Sequence, residues 1–420
     1  MSKSILEKIS AIESLKTAWD NLDKHNKSSH GLSKETIEDF SINIDERILS
    51  ISTNLKKGSY FFSQNRGVLI PKTTGKFRPL QVPEISDRTV LKSIAIELEE
   101  IFKNVISKSD GYSFAYQKKL GIKDAIFKII EHYKNGYIYS LEADLINFFG
   151  KVNKDDLLKN NIFPKLPDDS INKLLVKALN QTVGGLEKFD NEQKSYFENV
   201  DKGIPQGNPL SPLFSNIYLS PFDIFLIERD YKLVRYADDF VILCKTKEDC
   251  EKAYLDCCEI LKTLKLEIHS IEDGKKTKIL KIEDDFLTFL SVTFDGKEAY
   301  PSIENFERLK SKIRDICNGK INHSILVLLK KIVNVHDGWI SAFIFTNLYK
   351  YSEELDFFIN RQLFLALRRY EWKFSDKTLG KLPKKYSQLN ESKDCLSDTQ
   401  RLHSGIPFSK TLIEKKKTIA

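Results

Sequence analysis

The sequence predicts an α+β protein, and three observations carry that expectation. "GYIYSLEADLINFFGKV" (136–152) reads as a strand that ends in acid. "YKLVRYADDFVILCKTKEDC" (231–250) reads as strand, acidic turn, strand, because apolar runs flank Asp238 and Asp239 on both sides. Elsewhere the apolar residues recur at helical spacing, with Val90, Leu91, Ile94, Ile96, Leu98 and Ile101 marking one amphipathic helix over 87–106.

The other elements follow in chain order. Residues 1–57 are charged and helical in pattern, with Ile44, Ile48, Ile51 and Leu55 on one face, and "KGSY" (57–60) ends that run. "RGVLIPKTTGKFRPLQVP" is β-flavoured, with Gly and Pro marking its turns. A helix is expected over about 122–134, and another from Asp155-Asp156. "KGIPQGNPLSP" (202–212) is a loop. There Ser211 is predicted as the N-cap and Pro212 as the first residue of a helix running toward Ile227, with a bend at Pro221. Residues 248–265 form an amphipathic helix, "FLTFLSVTF" (286–294) a hairpin arm, and the chain from Ile303 to about Phe374 is mostly helical. The last 45 residues or so are polar and lysine-rich.

Composition sets the bounds. The chain has 420 residues, 41% hydrophobic, which is enough for more than one core. A net charge of +7 admits a polyanionic partner, though a solvated lysine-rich surface explains it equally well. The six cysteines form no CxxC pair and read as reduced thiols. The N-terminus lacks the apolar core of a signal peptide, and no apolar run approaches the ~20 residues of a membrane span, so a cytoplasmic protein without membrane contact is expected.

The acids carry the chemistry. Asp144 ends one strand, and Asp238 and Asp239 sit in a turn between two others, so three carboxylates can converge on one side of a sheet. Such a cluster repels itself unless cations neutralise it. Mg²⁺ suits a site of few carboxylates completed by substrate phosphates, and two such ions can stabilise both the attacking and the leaving oxygen of phosphoryl transfer. A plain polar turn is the competing account of Asp238-Asp239. The pairs Asp155-Asp156, Asp168-Asp169 and Asp284-Asp285 serve as controls, and none is flanked by apolar strands on both sides.

"LEADLINFFGKV", "GIPQGNPLSPLFSNIYL" and "RYADDFVIL", in that order, resemble the palm of reverse transcriptases, in particular the bacterial group II intron and retron-like lineage. "IPKTTGKFRPL" (70–80) resembles the fingers motif of that family, "SFAYQKKLGIKDAI" (113–126) the next motif, and "LKLEIHSIEDGKKTKI" (264–279) with "FLTFLSVTF" the end of the palm and the primer grip. "AWDNLDKHNKSSHGLSKETIEDF" looks like the leader of group II-like enzymes, and "NVHDGWISAF" (334–343) like their thumb. The resemblance covers about residues 18–372 and implies a right-hand polymerase fold. Its parts would be a helical N-terminal extension (1–60), fingers (61–135), palm (136–160), a fingers/palm insertion (161–200), palm again (201–300), a helical thumb (301–375) and a polar basic tail (376–420).

The resemblance also implies roles. Asp144, Asp238 and Asp239 match the catalytic, metal-binding triad, with the Leu145 carbonyl as a further ligand; the cofactor would be two Mg²⁺ ions, with Mn²⁺ as a substitute. Arg78, with Lys72 and Lys76, matches the groups that clamp an incoming dNTP, and Gln206 would lie against its sugar or base. Phe149 would wall off a ribose 2′-OH, with Phe148 in the core. Tyr236, Gly207 and Lys278 would face primer and template. No histidine is placed as a general base: His132, His269 and His336 read as ordinary residues, and Trp339 as a packing residue.

Three positions depart from the family pattern: Gly150 where a third acid is frequent, Ser291 for a glycine of the primer-grip hairpin, and Gln117 for an arginine. The 45 or so residues after the thumb are too few for a nuclease domain, no zinc-spaced cluster appears, and the retron Val-Thr-Gly is absent. A stand-alone, defence-associated enzyme copying a dedicated noncoding RNA is therefore expected, with a DNA product or primer and with a second copy or an effector protein as partner. "SKTLIEKKKTIA" reads either as an RNA-backbone contact or as a disordered tail. A maturase-like RNA-binding protein and a template-independent or protein-primed DNA polymerase are the alternatives.

Overall fold

A computed structural model describes residues 3–72, 75–198, 202–273, 276–319, 324–369 and 395–419. The chain divides into two compact units, Met1–Ile279 and Leu280–Ala420.

In the first unit, helices Ile5–Ile9, Ile12–Asp20, Ile37–Ile42 and Ile44–Lys56 fill the N-terminal segment. Ser4 and Thr36 each close a capping box, which satisfies backbone N–H groups that a helix start leaves free. Ile48, Ile51 and Leu55 are buried, as their spacing predicts. The strands are β1 (Asn65–Pro71), β2 (Phe77–Val82), β3 (Tyr139–Asp144), β4 (Val183–Gly184), β5 (Lys232–Tyr236), β6 (Asp239–Cys244) and β7 (Lys278–Lys281). They form two sheets, β2-β1-β4 and β5-β6-β3-β7. In the second sheet β6 runs antiparallel to both β3 and β5. Leu141, Ala143, Phe240 and Ile242 join one core with Phe214 and Phe222 of the helix Ser211–Glu228 and Cys257 of the helix Lys247–Thr263. The Phe222 and Phe240 rings meet edge-on at 5.1 Å. This core fixes the sheet from behind and leaves Glu142 and Asp144, two residues apart, on its other side.

One helix start is corrected. Leu210, not Ser211, is the cap residue, and Ser211 is already helical. Its hydroxyl donates to the Pro205 carbonyl at 2.6 Å, so the side chain ties the preceding loop shut instead of capping.

The second unit opens with β8 (Leu287–Phe289), β9 (Val292–Phe294) and β10 (Ala299–Pro301), an antiparallel sheet in that order. Helices Ile303–Asn318, Ile325–Phe343 and Tyr349–Arg369 follow. Trp339 packs near Phe306 and donates to Asn305 Oδ1 at 2.7 Å. Of the expected polar tail, residues 376–394 lie outside the described residues, and 395–419 differ from the expectation of a solvated tail. They form helices Asp398–His403 and Ser409–Ile419, with Leu412 and Ile413 buried. The reason is a buried polar clasp. Arg401 donates to Asp356 Oδ1 (2.9 Å) and to the Pro407 carbonyl (2.7 Å), and the Ser409 hydroxyl donates to Asp356 Oδ1 (2.8 Å). His336 lies 2.9 Å from that hydroxyl, and burial, with Arg401 nearby, pushes its pKa down to about 3. A neutral core histidine fits the ordinary role expected of it.

The β8–β9 turn is made by Leu290 (φ 52°) and Ser291 (φ 65°), both left-handed without being glycine. This conformation costs about 1–2 kcal/mol per L-residue, against a glycine entropy cost of about 0.5–1 kcal/mol. Ser291→Gly should therefore gain about 0.5 kcal/mol, read as a small rise in denaturation midpoint.

Candidate active site

The acidic turn is held from below by a buried ion pair. Arg235, on β5, is 1% exposed and Asp223, in the helix Ser211–Glu228, is 0% exposed. Two parallel bonds join them, Nε to Oδ1 at 2.7 Å and Nη2 to Oδ2 at 2.6 Å. The remaining guanidinium nitrogen, Nη1, donates to the Ala237 carbonyl at 2.9 Å and to Asn216 Oδ1 at 3.3 Å. Ala237 is left-handed (φ 61°), which turns the chain sharply just before Asp238. The backbone of Arg235 is also fixed, accepting from Phe114 N–H (2.9 Å) and donating to the Tyr112 carbonyl (2.7 Å).

Register then sets the charges. Asp144 on β3 lies directly opposite Asp239 on β6, and Tyr236 opposes Asp239 from β5. Like charges facing each other across strands are unfavourable. Burial, and then Asp238 and Asp144, push the Asp239 carboxyl up to about 7, although that residue keeps an open face to solvent. Burial followed by Asp144 raises Asp238, while Arg78 and Lys276 pull it back. Lys276 Nζ contacts Asp144 Oδ2 at 2.6 Å, so an ammonium group already stands where the cluster needs a cation. Among the described residues no three acid, His or Cys side chains close into a ready-made metal cage. The donors nevertheless suit hard cations: clustered carboxylates, two of them raised in pKa by burial and by neighbouring carboxylates, with an ammonium against Asp144. The Leu145 carbonyl belongs to a buried residue whose N–H reaches the Asp238 carbonyl at 3.4 Å.

A cavity of about 430 Å³ lies beside β1 and β2. Lys72, Lys76, Arg78, Phe149 and Gln206 all line it, so the residues assigned from sequence to one nucleotide meet in one place. Phe148 is buried, as expected of a core residue, and Phe149 is partly exposed and lines the cavity. Gln206 Oε1 is buried and finds no hydrogen-bond partner among the described residues, which is costly unless a ligand supplies a donor. The Gln206 carbonyl accepts from Gln81 N–H at 2.7 Å, pinning the loop to β2. Gly207 makes this possible: its φ is +106°, and a Cβ there would meet the Gln81 carbonyl oxygen at 2.5 Å. At Gly150 a Cβ would meet the Asn147 side-chain amide at 2.5 Å, so a larger residue there would require that amide to move.

Lys278, expected to face nucleic acid, lies 3.1 Å from Glu142 Oε2, on the same side of β3 as Asp144. Sequence reasoning missed Arg235, Asp223, Asn216 and Lys276, as well as Gln81, Asn147 and Tyr196 in the cavity wall. A signal for the ion pair was present: an arginine within the apolar "KLVRYA" and an aspartate within the apolar "SPFDIFLI".

Residues 70–334 match the family described as reverse transcriptase (RNA-dependent DNA polymerase), more than half of the chain. The protein YkfC of Escherichia coli K12 is 28% identical over 272 residues, covering 56% of this chain and 67% of that protein. The group II intron-encoded protein LtrA of Lactococcus lactis subsp. cremoris is 27% identical over 254 residues, covering 60% of this chain and 38% of LtrA. The chain thus spans well under half of that second relative. Among solved structures, a partial Cas6-RT-Cas1–Cas2 complex is similar at 25% identity and a TM-score of 0.37, covering 66% of this chain and 44% of that one.

Two outcomes are expected. Removing one partner of the ion pair, as in Asp223→Ala, should cost about 3–5 kcal/mol of stability by chemical denaturation, because Arg235 stays buried without its counter-charge. Asp239→Asn should act in the opposite direction. A carboxyl raised to about 7 ionises at the expense of the native state, a cost that is absent below the unfolded value near 4 and complete above the folded one. With chelator present, the variant should melt higher than the parent at about pH 8 and no differently at about pH 4.

Proposed function

The chain belongs to the reverse transcriptase (RNA-dependent DNA polymerase) family, and from that premise we propose that it adds dNTPs to a primer end on an RNA template. The observation that carries this is the placement of Asp144 opposite Asp239, with Asp238 alongside. This cluster is electrostatically incomplete without cations and lies within electrostatic reach of Arg78, which lines the 430 Å³ cavity.

Asp144, Asp238 and Asp239, with the Leu145 carbonyl, would hold two Mg²⁺ ions, which Mn²⁺ could replace. When bound, these ions supply charge neutralisation at the attacking and leaving oxygens. The chain's own residues do the rest. Arg78 offers a planar, bidentate grip on phosphate oxygens, and Lys72 and Lys76, which also line the cavity, add point charges. Gln206 Oε1 accepts from the sugar or base, satisfying an oxygen that is otherwise stranded. Phe149 fills the space a 2′-OH would occupy, so selection of dNTP over rNTP rests on shape. Gly207, Tyr236 and Lys278 would face primer and template. No covalent intermediate is needed, because positioning and charge stabilisation carry phosphoryl transfer.

The finer role we propose, copying of a dedicated noncoding RNA in bacterial anti-phage defence, rests on the sequence reading alone. The maturase-like alternative, binding RNA without synthesis, is weaker because all three acids are present, with Asp144 and Asp239 paired in register and Asp238 next to Asp239.

Extension of a DNA primer on an RNA template tests the reading. Asp238→Asn should lower the rate by at least about 10²-fold, and an unchanged rate would remove the assignment. Phe149→Ala should increase rNTP incorporation relative to dNTP, and an unaltered ratio would remove the gate. Sequencing of the nucleic acids that co-purify with the protein should return one structured RNA and its complementary DNA; a random mixture would count against a dedicated template.

A further inference from the structure

Tyr116 lies in "SFAYQKKLGIKDAI", a motif to which the roles above give no task. It is a large aromatic residue with 51% of its surface exposed. Its backbone is left-handed (φ 62°), a conformation that a bulky side chain adopts at a cost and that persists only where the surroundings enforce it.

The surroundings do enforce it. Phe114 N–H donates to the Arg235 carbonyl at 2.9 Å, and Asn216 Nδ2 donates to the Ala115 carbonyl at 3.0 Å. Just beyond, Gln117 Nε2 donates to the Ser113 carbonyl at 2.8 Å and closes the turn. Arg235, whose Nη1 also donates to Asn216 Oδ1, donates to the Ala237 carbonyl, so the backbone before Tyr116 and the Asp238-Asp239 turn hang from one support. The Tyr116 phenol feels the charges of Asp238 and Arg78 and neighbours Tyr236. It is not among the residues lining the nucleotide cavity. The ring therefore stands beside the catalytic turn but outside the space assigned to the incoming triphosphate, where the end of the duplex would lie.

We propose that Tyr116 is a positioning residue for the duplex end, its ring packing against the primer-terminal base pair beside the Asp238-Asp239 turn. This rests on the polymerase reading above. An exposed aromatic face is a sequence-tolerant platform for a nucleobase. Fixing the backbone that carries the ring through Arg235 and Asn216 means that little backbone freedom is lost when the base pair arrives.

The test uses the full chain and a hairpin with a DNA primer strand, an RNA template strand and a recessed 3′ end. Affinity is read by fluorescence anisotropy without divalent metal, and extension is read separately as kcat and KM for dNTP. Tyr116→Ala should weaken hairpin binding about tenfold, as loss of one stacked base does. The KM for dNTP should stay within about twofold, since the ring lies outside that cavity. Tyr116→Phe should bind like the parent, because the ring and not the hydroxyl makes the contact. A 2-aminopurine at the primer terminus should be quenched by the parent and by Tyr116→Phe but not by Tyr116→Ala. Melting temperatures should be unchanged, given the exposure. Parent-like binding by Tyr116→Ala, or a Tyr116→Phe variant as weak as Tyr116→Ala, overturns the proposal. If the parent binds the hairpin but extends nothing with Mg²⁺ or Mn²⁺, the polymerase reading falls, while the anisotropy and quenching still decide the role of Tyr116.

Discussion

The site depends on one buried contact, the bidentate pair of Arg235 and Asp223. A buried ion pair is a poor way to gain stability, since desolvating both charges offsets most of their attraction. Its use here is geometric. Two guanidinium nitrogens are engaged by Asp223, which leaves the third aimed at the Ala237 carbonyl. That bond holds the left-handed residue that sets where Asp238 and Asp239 point. The same arginine binds the 112–114 segment through its backbone. Elements distant in sequence thereby share a single fixed point.

Above this support, the structure concentrates negative charge and answers it with positive charge from several directions. Asp144 and Asp239 face each other across strands, and Asp238 adds a third carboxylate. Lys276 contacts Asp144, Lys278 pairs with Glu142, and Arg78 bears on Asp238. The apolar face of the sheet, packed on Phe214 and Phe222, keeps the acids from moving apart to relieve the repulsion. The cluster is therefore poised for cations. The cavity beside it, with a stranded Gln206 oxygen, is poised for a polar ligand.

Much of this was legible in the sequence, for physical reasons. Strands betray themselves by apolar runs, so the placement of Asp144 at a strand end and of Asp238-Asp239 at a turn followed from local pattern. The helices over 122–134 and 248–265 were legible because one face is apolar. What stayed hidden was long-range. Lys276 meets Asp144 across 132 residues, and no local pattern announces that. The Ser211 hydroxyl reads as a cap by residue type, yet the Pro205 carbonyl competes for it and wins. The C-terminal helices look polar in sequence because their anchors are Arg401, Ser409 and His336, residues that composition assigns to solvent. Buried polar networks escape hydrophobic periodicity because their members are not hydrophobic.

Arg235 and Asp223 position the Asp238-Asp239 turn and do not merely stabilise the fold. Replacing both with apolar residues, Arg235→Met with Asp223→Leu, separates the two roles, because such swaps remove the desolvation cost along with the attraction. The double variant should resist denaturant better than either single variant, yet extend a primer at least about tenfold more slowly than the parent, since the Ala237 carbonyl has lost its donor. A double variant that is stable and extends at the parental rate would contradict the account.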